Sequence, residues 1–214
     1  LVQTPEGDWW AIFLGVCTYD GDQYGNIGRS TFLLPVSWEQ DQPVILADGL
    51  AVPTVNDAPA LTPAPVKGGL PTTGNYSYSD DFDDAEPGLH WMTLRGPRDP
   101  EKIWIADGKL SMIKDSTALN SMSQGSMICQ WIRHASYSTS TSVDFAATAE
   151  NDMAGLAIYL GERAYFALGK TMNAEGQPAV ELIRRQGMQQ ETIASIAMDE
   201  KTASRSLKLK VDVS

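Results

Sequence analysis

Apolar residues fall along this chain in short runs separated by turn residues. The run at 9–15, WWAIFLG, follows the turn Pro5-Glu6-Gly7-Asp8, and the run at 31–38, TFLLPVSW, follows Gly28-Arg29-Ser30. Both are nearly continuous rather than alternating, which is the pattern of strands buried on both faces. A third, shorter strand is expected at 43–46, after the polar turn Glu39-Gln40-Asp41-Gln42. Three short antiparallel strands are not a stable domain by themselves. Residues 1–52 therefore read as one blade, or part of one, from a larger sheet assembly.

The pattern changes twice. Residues 53–78 carry Pro53, Pro59, Pro63, Pro65 and Pro71 among small residues, the composition of an extended linker. From 79 onward, strand-like runs recur with Gly, Asn or Asp between them: 102–106, 109–113, 126–133, 139–145, 153–160, 164–169, 179–185, 191–197 and 207–213. The last, LKLKVDV, alternates cleanly. Period-two alternation with frequent turns points to an antiparallel sandwich over 79–214. No segment reads as a long amphipathic helix, and no internal repeat is visible. The final strand runs almost to the last residue and would leave an exposed edge, so the sandwich is expected to be truncated.

Composition narrows the functional classes. Hydrophobic residues make up 43% of the 214 and charged residues 20%, a globular composition. No apolar run approaches the roughly 20 residues that span a bilayer. No signal peptide stands at the polar start, and no initiator Met, which suggests a processed chain or a fragment. A secreted and a cytoplasmic location both stay open, as does a homo-oligomeric state. The net charge of −11 repels phosphate backbones and argues against a nucleic-acid partner. Cys17 and Cys129 sit beside apolar residues and read as buried free thiols rather than a disulfide. His90 and His134 lack metal-ligand spacing, and no CxxC is present, so structural zinc is not expected.

Taken in order, LVQTPEGDWWAIFLGV, GRSTFLLPVSW and PVI resemble the last propeller blade of glycoside hydrolase family 43, the β-xylosidases and α-L-arabinofuranosidases. The proline linker, DDFD, LHWMTLRGPR, GKLSM, CQWIRHASYSTSTSVDF and MAGLAIY are similar to that family's appended C-terminal sandwich. The resemblance covers nearly the whole chain and rests on the order and spacing of its pieces. It implies an all-β fold: the end of a five-bladed propeller, then a jelly-roll, concanavalin-like sandwich. It also implies exo-acting, inverting hydrolysis of xylo-oligosaccharide or arabinoxylan-derived substrates, with no required cofactor. A general base Asp and a general acid Glu would stand roughly 6.5–9.5 Å apart to admit water. In the family these lie on earlier blades, so no catalytic residue is expected in this chain.

Arg29 is the only Lys or Arg among the first 66 residues. By resemblance it matches the arginine of the family's Gly-Arg-Glu-Thr motif, which reaches into the sugar pocket. A guanidinium can donate several hydrogen bonds to sugar hydroxyls and bias nearby carboxylates. The bland alternative is a surface arginine at a turn. Two departures from the family stand close by: Ser30 replaces the usual Glu, and Cys17 stands where Arg is common, so the loop 18–28 could shape the pocket differently.

Other residues compete with simpler roles. Trp9, Trp10 and Phe13 could stack on sugars, though core packing suits them better. Trp91 and Trp104 could line a carbohydrate groove or pack in a core or between domains. Asp80, Asp81, Asp83 and Asp84 could offer oxygens to a structural calcium, but they lack the Gly-centred loop of an EF-hand, and acidic turns are usually just solvated. The stretch Arg95-Gly96-Pro97-Arg98-Asp99 could close one side of a pocket or form a surface loop with one ion pair. Nucleophilic Ser/His/Asp catalysis lacks its Gly-x-Ser-x-Gly elbow and is rejected. Three readings follow: part of a glycoside hydrolase, a stand-alone carbohydrate-binding sandwich, or a structural sandwich that buttresses a propeller and promotes oligomers.

Overall fold

The computed structural model describes residues 1–18, 21, 25, 27–46, 50–53, 55–57, 59, 61 and 74–214. Much of the loop 18–28, and Pro63, Pro65 and Pro71 of the linker, lie outside the described residues. The chain divides into two compact units, Leu1–Gly74 and Asn75–Ser214.

The first unit is a four-stranded antiparallel meander of β1 (Val2–Gln3), β2 (Trp9–Val16), β3 (Arg29–Glu39) and β4 (Gln42–Val44), in that order across the sheet. Four antiparallel strands are the form of one propeller blade. The turn into β2 closes by Gly7 N–H donating to Thr4 O (3.0 Å) and Thr4 N–H to Asp8 O (2.8 Å). Gln40 and Asp41 link β3 to β4 with φ of 48° and 63°, the two positive values of a tight hairpin turn that matches strand twist.

Both faces of this sheet are apolar, as the unbroken runs imply, but they are not equally covered. Ala11 on β2 and Leu34 on β3 are buried on one face, and Trp10 on the other. Phe13 stacks on Phe32 at 5.6 Å, and Trp9 meets Trp38 edge-on at 5.5 Å. On the other face Ile12, Leu14, Val16 and Leu33 are exposed. The expectation of burial on both faces is thus corrected. A continuous apolar run records that both faces suit an apolar neighbour, not that this chain supplies both.

The second unit is also antiparallel throughout. Its largest sheet is the meander β10 (Met153–Gly161), β11 (Ala164–Met172), β12 (Pro178–Gln186) and β13 (Gln189–Ala197). Asn173 closes the β11–β12 link by accepting from the N–H of Glu175 (3.1 Å) and Gln177 (2.8 Å). The pair β9 (Tyr137–Val143) and β14 (Leu207–Val213) forms a separate two-stranded sheet whose Leu209 is buried. Before them come the hairpin β6 (Ile103–Ala106) and β7 (Lys109–Met112), turned by Asp107-Gly108 at φ 53° and 66°, and the short pair β5 (Met92–Thr93) and β8 (Ile128–Cys129).

One four-residue helix, α1 (Glu200–Ala203), follows β13. It starts because Asp199 accepts from Thr202 N–H at 2.7 Å as an N-cap. No helix among the described residues is long and apolar enough to cross a membrane.

Three expectations change here. The run 126–133 pairs only at Ile128–Cys129, because its partner strand stops early: Arg95 turns the chain at φ 63°. The thiols are free but not buried, since Cys17 is exposed and Cys129 half-buried, with Cys129 Sγ donating to Met92 O at 3.4 Å. Trp104 faces outward on the edge hairpin and is no core residue.

Candidate functional site

Arg29 opens β3, directly opposite Val16 at the end of β2. It is exposed and shares a face with Thr31, Leu33 and Pro35 through the two-residue period of the strand. Gly28 before it has φ 84°, a conformation that side-chain-bearing residues rarely adopt, so the chain can turn sharply and place the guanidinium at the sheet's end. Trp9, Trp10 and Phe13 are built into the sheet packing and do not form an open stacking platform.

In the second unit, the DDFD stretch makes a polar and aromatic knot. Asp80 Oδ2 accepts from the Trp91 indole N–H (2.7 Å) and the Tyr78 hydroxyl (3.1 Å), and Oδ1 accepts from Phe82 N–H (2.9 Å). The Tyr78 hydroxyl also lies 2.7 Å from His90 Nε2. All three groups are satisfied when His90 Nε2–H donates to the hydroxyl oxygen while the hydroxyl proton points to Asp80. Burial opposes ionisation of Asp80. Hydrogen bonds from Trp91, Phe82 and Tyr78, with His90 nearby, outweigh that and hold the carboxyl below its ordinary range. Burial, with the Asp80 carboxylate close by, raises the Tyr78 hydroxyl, which stays protonated.

Phe82 sits at φ 53°, which costs a bulky residue on the order of 1–3 kcal/mol. The bond from its N–H to Asp80 and its packing on Trp91, with centroids 5.7 Å apart, hold it there. Asp81, Asp83 and Asp84 point to solvent. Among the described residues, no group of three or more His, Cys, Asp or Glu forms a metal-ligand set, and the Asp80 oxygens face donors instead. Asp80 thus ties the loop together through three hydrogen bonds, a role that the charge pattern does not announce.

The 95–99 stretch is held by two ion pairs rather than one. Arg95 donates to Ser121 O (2.6 Å), the Tyr159 hydroxyl (3.3 Å) and Glu162 (3.1 Å). Arg98 donates to Ile103 O (2.6 Å) and pairs with the Glu86 carboxylate. Beside Arg98 a cleft of about 410 Å³ opens, walled by Pro87, Trp91, Met92, Pro97, Arg98 and Ile128. Trp91 was legible as a groove candidate. Arg98 was legible as part of a stretch that could close a pocket, whereas Glu86 and the Tyr78–His90 support were not, because they meet only through loop closure. His134 packs edge-on against Tyr76, with ring centroids 5.5 Å apart.

Comparison with known proteins now adds to this geometry. Residues 79–214 match the family model for the β-xylosidase C-terminal concanavalin A-like domain. A non-reducing end α-L-arabinofuranosidase of Bacteroides ovatus is 32% identical over 174 residues, covering 78% of this chain and 30% of that protein. Among solved structures, a xylan β-1,4-xylosidase of Bacillus halodurans superposes at TM-score 0.82 with 22% identity, over 99% of this chain and 39% of its own. A family 43 protein of Bacillus licheniformis superposes at 0.73 with 20% identity, over 99% and 39%. This chain therefore spans about a third of the length of these relatives. On the family match over its second unit, the chain belongs to glycoside hydrolase family 43, whose β-xylosidase C-terminal concanavalin A-like domain it carries.

Proposed function

We propose that the chain works as the C-terminal part of an exo-acting, inverting glycoside hydrolase. It would release xylose or arabinose from the non-reducing ends of xylan-derived oligosaccharides. The acid and base carboxylates would be carried outside these 214 residues. The observation that carries this reading is continuity: one xylosidase structure matches both units in the same order over 99% of the chain. The arabinofuranosidase relative supports the same reaction class.

In this reading Arg29 is the chain's contribution to the sugar pocket. Its place at the sheet's end, exposed and without another basic residue nearby in sequence, suits a donor to sugar hydroxyls. The planar fork can hold two neighbouring hydroxyls while the reacting carbon changes geometry, which favours a correctly oriented ring.

The test is a paired assay on aryl β-xyloside and aryl α-arabinofuranoside. One sample is this chain; the other is the protein with its upstream coding sequence joined. Activity in the longer protein alone is expected, and the preferred aryl glycoside identifies the sugar. Silence in both samples sinks the hydrolase reading, and activity of the short chain that survives Arg29→Ala sinks the assignment of the chemistry to residues outside it.

A further inference from the structure

The cleft beside Trp91 lies within the second unit, and its lining suits a particular kind of ligand. Three features define that ligand. First, the aromatic wall is fixed before anything binds. The Trp91 indole N–H is committed to Asp80 at 2.7 Å, and its ring packs against Phe82 and His90, each with centroids 5.7 Å away. A ring anchored in this way at the border of a cleft is preorganised for stacking, so binding loses little side-chain entropy.

Second, the polar wall is an arginine with its charge already answered. Arg98 spends one N–H on Ile103 O and another on the Glu86 carboxylate. The other N–H groups of its five-donor fork remain to serve hydroxyls. With Glu86 alongside, and a net charge of −11 on the chain, the cleft offers an anion no net attraction. Third, Pro87, Met92, Pro97 and Ile128 make the rest of the lining mostly apolar, beside Thr93 and Gly96. The Thr93 hydroxyl already donates to Gly96 O at 2.5 Å. This lining suits a neutral ligand with one apolar face and hydroxyls at its edge. That is a sugar ring, and about 410 Å³ accommodates roughly one or two of them.

We propose that this cleft is a carbohydrate-binding site of the sandwich, taking a neutral sugar unit of a polysaccharide chain by stacking on Trp91 with hydroxyls on Arg98. It lies wholly within the second unit and performs no chemistry.

The experiment titrates xylohexaose into the 15N-labelled 214-residue chain and follows the tryptophan indole N–H resonances. The Trp91 resonance is identified by its loss in Trp91→Phe, which keeps an apolar ring in the wall. The expected result is a saturable shift of that resonance, with Arg98→Lys weakening the affinity fivefold or more while the other indole signals stay in place. Arg98→Lys keeps the charge opposite Glu86 and removes only the planar fork. Absence of a shift overturns the proposal. So does a shift confined to another tryptophan, such as the highly exposed Trp131, or one whose affinity Arg98→Lys leaves unchanged. No hydrolysis enters these readouts, so failure of the glycosidase assay and failure of this site are separate outcomes.

Discussion

Trp91 donates its indole N–H to Asp80 across 2.7 Å and so ties the start of the second unit to the wall of its cleft. The bond joins residues eleven apart in sequence and aligns the Tyr78, Phe82 and His90 groups around one carboxylate. Asp80→Asn removes the charge that these donors stabilise and should cost about 1–3 kcal/mol of unfolding free energy, read from a urea midpoint. The folded-state value of Asp80 is lowered, so its contribution is full above the ordinary carboxylate range and is lost as pH falls through that lowered value. The gap between parent and variant should therefore close in acid. A gap of equal size at all pH values would contradict this account.

Lys170 is 1% exposed, and its ammonium donates to Ala203 O and Arg205 O, each at 2.8 Å. This ties β11 to the segment that leads into β14. Lys170→Met keeps the stem but strands both carbonyls, a loss of about 2–4 kcal/mol that thermal unfolding should reveal. Burial lowers the lysine, with Asp144 partly opposing. The unfolded chain then holds that proton more tightly than the folded one, so stability should rise as pH climbs from the lowered value toward the ordinary one. The variant should lack that alkaline rise.

Gly155 and Gly169 face each other in the β10–β11 register. A Cβ on Gly155 would lie 2.0 Å from Leu168 O and 2.5 Å from Gly169 Cα, both backbone atoms that cannot swing aside. Gly155→Ala should cost about 3 kcal/mol or more, or abolish soluble folded protein. Gly161→Ala on the same strand, where a Cβ meets nothing within 4 Å, is the tolerated control in the same thermal melt.

Asp152 closes the turn before β10. It accepts from the N–H groups of Thr148 and Ala149 and from Lys114. The Thr148 bond leads, followed by Lys114, against a smaller effect of burial, and the carboxyl is held down to about 2. Its stabilisation is present above the ordinary value near 3.8 and drains away between there and about 2. Asp152→Asn should flatten this part of the acid-unfolding curve, with parent and variant converging near the bottom of that window. Circular dichroism along an acid titration measures it.

Arg29→Ala, made in the longer protein of the paired assay, should reduce kcat/KM by about 10- to 100-fold, the worth of one or two charge-assisted hydrogen bonds. Arg29→Lys should recover little, because a point charge cannot replace the fork. Thermal stability should hardly move, since the side chain is exposed. An unchanged kcat/KM with both variants would remove Arg29 from the pocket.

Local signals made much of this fold legible. Strict alternation placed β14 at Leu207–Val213, and the runs at 102–106 and 109–113 marked β6 and β7, which Asp107-Gly108 joins. These depend on neighbours in sequence: side-chain period and the φ that a turn residue tolerates. The order of short motifs likewise carried the family, because each motif is a string. Tertiary structure alone decided the rest. Whether Ile12 and Leu14 meet a neighbour, that Lys170 reaches two carbonyls more than thirty residues away, and that Trp91 and Arg98 line one cleft are all matters of long-range approach. Composition and periodicity record what a side chain can do. Which groups come within hydrogen-bonding distance of it depends on how the loops close, and no local pattern encodes that.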